Sequence, residues 1–332
     1  MMLAPTDRAS TYDALRPPAG CSFDFLVACT YSAALDTVLS LPAAMVAGDL
    51  GAAAARPTFG AAEFAALRRV CERTTIFCHA GGIHPAEMIP PAIVEVEPMV
   101  HEVSAPMGGA FHPKLWVMRF EDEKKRVTLR VAVLSRNLTP DRSWDLGLIV
   151  DGRPTSAPKA SGVSDLLRLL PTWSLRQPSA ARLAMIGRLA DEVERTRWRM
   201  PNGMGMPEFT AIGTGPGKGW VQPPSERLIV LSPFLTSRTV EAMTATSADA
   251  VALISRPEAL DRCWPAASTK FARQMVLTPP EDRFRQMKTL QKFASVHANV
   301  HNHFSLERHL TNRQTYKDRR SAALAEWQIL AS

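Results

Sequence analysis

Two strand-length apolar runs held apart by five charged residues constrain this chain most. Residues 110–120 (AFHPKLWVMRF) and 126–135 (RVTLRVAVLS) are rich in β-branched and aromatic side chains, and Glu121 to Lys125 (EDEKK) reads as an exposed loop between them. So short a polar connection predicts a β-hairpin. Along it, polar residues occupy positions where a half-buried strand would carry apolar ones. His112 and Lys114 alternate with Pro113 and Leu115 and share a face; Ser135 and Asn137 share a face at the end of the partner strand. A register that sets His112 opposite Asn137 and Lys114 opposite Ser135 puts the turn near Lys124 and Lys125, where the charges are. Such a group suits phosphorus chemistry. A neutral imidazole is a good nucleophile toward phosphorus and can be displaced by water in a second step. An ammonium and an amide can hold the non-bridging oxygens as charge develops, and no metal is required. The same spacing also fits a satisfied core histidine beside a lysine whose stem lies along apolar surface.

The rest of the chain places the hairpin in an α/β protein. A strand over 22–31, a helix over 32–41, a helix over 61–72, a strand over 74–80 and a strand over 94–100 precede it, and a strand over 146–151 follows. Residues 152–162, rich in Pro, Ser, Gly and Ala, read as a linker; 163–200 as mostly helical with breaks at Pro171 and Pro178; and 201–224 as a second linker or long loop. Strand, helix, strand, helix then resume at 227–232, 236–246, 250–255 and 257–263. Composition agrees with a globular chain: 332 residues, 46% apolar, and 39 Lys+Arg against 32 Asp+Glu for a net charge of +7. Wholesale disorder, collagen-like repetition and a disulfide-stapled miniprotein are excluded. The cysteines Cys21, Cys29, Cys71, Cys78 and Cys263 are few, scattered and odd in number. Together with an N-terminus that lacks the order of a secretory signal, they predict reduced thiols and a cytoplasmic location. The apolar stretches are too short and interrupted for a transmembrane segment. Cys71, Cys78, His79 and His84, and separately His297, His301, His303 and His309, read as buried thiols and polar tail residues rather than metal ligands.

The segments from Phe111 to Trp116 and from Leu134 to Thr139 resemble the active-site signature of the phospholipase D superfamily, in which His-x-Lys on one strand is followed by a Gly-Ser-x-Asn-like segment on the next. The flavour is that of its bacterial nuclease and defence members and of the tyrosyl-DNA phosphodiesterase branch. The resemblance implies a phospholipase-D-like α-β-α sandwich. His112 would be the nucleophile that forms a phosphohistidine, Lys114 and Asn137 would bind phosphate, Ser135 would assist, and Asp145 would orient a histidine. Two departures stand out. Arg119 occupies the position five residues after the lysine, where the superfamily usually has an aspartate, and Leu134 replaces the glycine before the serine.

The second half resembles the superfamily's second lobe at 231–235 and 253–258. Its active-site strand should then carry His-x-Lys, but the chain offers His297 followed by Asn299, and no Ser-x-Asn segment comes after. His297 is the candidate second-site acid. Either the second half-site is degenerate, so that the protein works as a homodimer or binds without cutting, or the chain is truncated or shifted in reading frame near 290. The expected organisation is an N-terminal segment (1–21), a complete first lobe (22–152), a helical insert and linker (153–225), a partial second lobe (226–290) and a basic polar tail (291–332). The function expected from the resemblance is a metal- and cofactor-independent phosphodiesterase acting on nucleic acid rather than phospholipid. The alternative is a weak or inactive homologue that serves as a binding or assembly subunit in a multi-protein complex.

Overall fold

The computed structural model describes residues 11–50, 61–85, 93–140, 147–157, 161–200, 205–214 and 223–276. After a 3-10 turn at Thr11–Leu15 come β1 (Cys21–Thr30), β2 (Ala33–Ala34), α1 (Leu35–Leu50), α2 (Ala61–Glu72), β3 (Thr74–His79), β4 (Ile83–His84), α3 (Ile93–Val96) and β5 (Val100–Val103). Then follow β6 (Leu115–Asp122), β7 (Val127–Leu134), β8 (Gly147–Pro154), α4 (Gly162–Trp173), α5 (Ala180–Glu194) and β9 (Thr196–Arg199). The remaining elements are β10 (Ser225–Leu231), α6 (Ser237–Thr244), β11 (Ser247–Ser255), α7 (Pro257–Lys270) and β12 (Gln274–Val276). The expected α/β class is what the structure has.

A seven-stranded sheet runs in the order β5-β3-β1-β6-β7-β8-β9. Its first three strands are parallel and the rest pair antiparallel. Helices cover both faces, which is why β1 reads as a continuous apolar run rather than an alternating one. Leu26 and Ala28 point into the layer of α1 and α2, with Val38, Leu41 and Leu67. Phe25, Val27 and Cys29 point into the layer of α4 and α5. In α4 the buried set Val163, Leu166, Leu167 and Leu170, and in α5 Ile186, Leu189, Ala190 and Val193, repeat at the spacing of one helical face. Each buried leucine or isoleucine stabilises the sandwich by about 1.5–3 kcal/mol.

The structure corrects four expectations. The helical insert expected at 153–225 is one layer of the first sandwich, and its sheet extends to Arg199 through β9. Pro171 does not end α4, which continues to Trp173. The strand expected at 94–100 is a helical turn (α3) and a 3-10 turn, with strand only from Val100; Pro98 has no N–H for a ladder, and Val96 and Met99 reach the core from helical backbone. The hairpin is shifted by one: Leu115 pairs with Val133 and Phe120 with Thr128, so Lys114 lies level with Leu134, whose N–H donates to the Lys114 carbonyl at 2.9 Å. The turn explains the shift. The Asp122 carboxylate accepts from the N–H groups of Lys124 and Arg126, both at 2.9 Å, and Lys125 sits at φ 61°. Three residues, Glu123 to Lys125, therefore close the loop, where five, Glu121 to Lys125, were expected.

Residues 225–276 form a separate three-stranded parallel sheet, in the order β10-β11-β12. It has its own core of Leu228, Val230, Val240, Leu253, Leu260 and Cys263. The tail and the second-site segment around His297 lie outside the described residues, as does Asp145.

Candidate functional site

His112 and Lys114 belong to the segment just before β6, with the Lys114 carbonyl already bonded to the Leu134 N–H of β7. The turn at Pro106–Gly108 and the buried ring of Phe111 lead the chain into it, and buried Leu115 anchors its far end. The imidazole of His112 is exposed, and its Nδ1 lies 3.0 Å from Lys114 Nζ. An ammonium has protons and no lone pair, so Nδ1 accepts. Desolvation first, then the cationic Lys114, pull the His112 pKa below its ordinary value, which keeps the ring neutral.

Two aromatic side chains complete the site, and neither was among the residues expected from the sequence. Tyr31 follows the C-terminal end of β1, and His79 ends β3. Sheet order sets β1 between β3 and β6, so Tyr31 emerges between His79 and His112. Its ring stacks on His79 at 5.0 Å between centroids and an interplanar angle of 15°, and packs on His112 at 4.7 Å and 37°. The Phe111 N–H donates to His79 Nδ1 at 3.2 Å, which leaves the proton of the neutral His79 ring on Nε2. A signal for both residues was present in the sequence. Functional groups gather beyond the carboxyl ends of parallel strands, and the strand-like runs at 22–31 and 74–80 end beside these residues, one in Tyr31 and the other just past His79.

Asn137 is tied to the same place. Its Oδ1 accepts the Tyr31 N–H at 3.3 Å, so its amide NH₂ is the end left to meet an acceptor such as phosphate. The Leu138 N–H donates to Thr30 Oγ1 at 3.1 Å and the Ala34 N–H to the Leu138 carbonyl at 2.8 Å, locking 135–139 against the end of β1. The structure therefore joins His112 and Lys114 directly and links Asn137 to them through Tyr31. Ser135 is exposed after β7.

Gly82 shows how tightly this corner is built. A β-carbon there would stand 2.4 Å from the Tyr31 carbonyl oxygen and 2.9 Å from that of His79, both backbone atoms. Gly82→Ala is expected to cost about 1–3 kcal/mol of stability, read as a lower urea midpoint. An unchanged midpoint would mean that the corner yields.

One buried thiol backs the site. Burial pushes Cys78 up to about 12, and its thiol donates to the Tyr31 carbonyl at 3.5 Å; Cys71, before the other end of β3, is pushed up to about 12 as well. Among the described residues, no three His, Cys, Asp or Glu side chains converge as a metal site would need. Arg119, at the place of the superfamily's usual aspartate, is buried in an ion-pair cluster. It donates to Asp24 at 2.5 Å and to both carboxylate oxygens of Glu192 at 2.8 and 3.1 Å, fastening β1 and β6 to α5.

No family model matches the sequence, and no curated protein matches it. Solved structures do. The chain is similar to the tyrosyl-DNA phosphodiesterase of yeast. One structure of that protein aligns over 80% of this chain and 66% of its own, at 12% identity and a TM-score of 0.38. A mutant of yeast tyrosyl-DNA phosphodiesterase 1 aligns over 52% of this chain at 15% identity and a TM-score of 0.34, and this chain spans 35% of that mutant's length. The chemistry of the site rests on its own side chains.

Proposed function

We propose that the protein is a phosphodiesterase of the kind its motif resembles, with His112 as the nucleophile. The observation that supports this most is the 3.0 Å contact between a solvent-facing imidazole, held neutral, and a lysine ammonium. In the free protein Lys114 covers a ring lone pair. A phosphodiester oxyanion competes for the ammonium far better than a neutral imidazole does, and draws it away. The uncovered ring nitrogen attacks phosphorus, the bond from phosphorus to the leaving oxygen breaks, and that oxygen takes a proton from water. A second water then attacks phosphorus and breaks the P–N bond, which restores the imidazole and releases a phosphate monoester. Lys114 and the Asn137 amide hold the non-bridging oxygens throughout. Ser135, Asp145 and His297 remain candidates for assisting, orienting and protonating roles. The substrate class we propose is nucleic acid, a polyanion of the kind that a net charge of +7 attracts, and the test below sets it against phospholipid.

The wild-type protein is expected to cleave a single-stranded oligonucleotide in EDTA and to leave phosphatidylcholine vesicles intact. Loss of cleavage in EDTA would sink the mechanism. DNA binding without cleavage would return the reading of a binding subunit, and lipid cleavage alone would reassign the substrate.

Its pH profile follows from the sign of the His112 shift. Protonation removes the lone pair, so activity falls as pH drops through the His112 pKa. Because that pKa is lowered, the acid limb should lie below about 6.5, the ordinary histidine value. Removing the neighbouring charge with Lys114→Met should move the limb of residual activity upward. A limb above the ordinary value in the wild type would contradict a neutral resting imidazole.

A further inference from the structure

We propose that Tyr31 is the positioning residue of this site: its ring face fixes the His112 imidazole and stabilises the positive charge that develops on it as nitrogen bonds phosphorus. The inference rests on the reading of His112 as nucleophile and assigns a role to a residue outside the His-x-Lys and Ser-x-Asn motifs.

Tyr31 is held from four directions. Its N–H is bound by Asn137 Oδ1 and its carbonyl by the Cys78 thiol, the carbonyl lying so close over Gly82 that a β-carbon there would collide with it. On the preceding residue, Thr30 Oγ1 donates to the Ser32 carbonyl at 2.7 Å and fixes the turn out of β1. The His79 imidazole stacks on the ring and is itself held by the Phe111 N–H. A ring so constrained presents a fixed surface to His112, which lies three residues before β6 begins.

The chemistry gives that surface a second effect. An imidazole that bonds phosphorus through one nitrogen and keeps a proton on the other carries a positive ring. The centroid separation of 4.7 Å is within the range at which an aromatic face attracts a cation. The attraction is weak toward the neutral resting ring and grows as charge develops, so it acts on the chemical step and not on substrate binding.

The test replaces Tyr31 by phenylalanine and by increasingly fluorinated phenylalanines, which keep the ring shape while draining its face. Tyr31→Phe is expected to keep kcat within about twofold. Full fluorination should lower kcat roughly 5- to 30-fold at unchanged KM. Histidine NMR supplies an arm that needs no activity: the His112 pKa should fall by roughly 0.5 from the phenylalanine to the fully fluorinated variant. Tyr31→Leu should lower kcat at least as much as full fluorination and change the His112 ring shifts. Flat kcat and flat His112 pKa across the fluorinated series would overturn the proposal while leaving His112 as nucleophile. Activity that survives His112→Ala would instead remove the catalytic reading, and the NMR series would still decide whether Tyr31 stabilises the charged ring.

Discussion

Alanine at His112 is expected to abolish phosphodiester cleavage, lowering turnover about 10⁴-fold or more, with no change in the unfolding midpoint. The size follows from the role. A nucleophile's covalent step has no substitute, and what remains is the stabilisation that Lys114 and Asn137 give an uncatalysed attack by water. The neutrality toward folding follows from position. His112 is exposed, and its ring contacts Tyr31 and Lys114 without filling core volume. The two readouts separate the catalytic reading from the structural one. A satisfied core histidine would lose stability on truncation and need not alter activity; a nucleophile would do the reverse. Quenching wild type during turnover of a 5′-labelled oligonucleotide should leave label on the protein in an acid-labile, alkali-stable form, as a phosphohistidine would. Label that survives in the alanine variant would place the covalent bond elsewhere.

What could be read from the sequence depended on how local each signal was. Helix α2 falls on the expected 61–72, because its boundaries are set by its own residues. The strands β1 and β3 announce themselves because burial on both faces demands uninterrupted apolar runs. His112 and Lys114 stood out because each interrupts an apolar alternation. The hairpin register escaped by one residue because it hangs on a backbone state at Lys125 that lysine seldom adopts. Strand β9 escaped because only Trp198 of its four residues is buried. Tyr31 and His79 lay outside any motif because what joins them to His112 is sheet order, and sequence distance hides it: 31, 79 and 112 are neighbours only where β3, β1 and β6 lie side by side. Asn137 was legible as a candidate. Its hold on Tyr31 was not, since it depends on the chain past β7 folding back to the end of β1.

Arg119 carries the second large effect, and it should fall on stability alone. Its guanidinium is 8% exposed and faces Asp24 and Glu192, which are 18% and 12% exposed. Truncation by Arg119→Ala leaves these two poorly hydrated carboxylates, and Glu121 at 3.4 Å from the guanidinium, without their shared cation. Asp24 keeps Arg188 at 3.2 Å and Arg73 at 3.6 Å, but no other ion pair to Glu192 is seen among the described residues. The expected cost is about 3–5 kcal/mol, the range for one partner lost from a buried pair. Arg119→Asp, the residue type usual at this place in the family that the motif resembles, should cost more, because it adds a fourth carboxylate where the cation stood, beside Asp24, Glu121 and Glu192. Arg119→Met combined with Glu192→Leu should recover most of the loss, since apolar groups of similar volume remove the unpaired charge as well as the pair. Turnover per folded molecule should match the wild type in the double variant, because Arg119 lies five residues beyond Lys114, about 17 Å along an extended strand. Urea unfolding read beside cleavage of the oligonucleotide separates the two quantities. A stable Arg119→Asp protein with raised turnover would show that the position belongs to the chemistry. An unstable one, with the apolar pair restoring the fold, would show that the arginine was retained to fasten α5 to the sheet that carries His112.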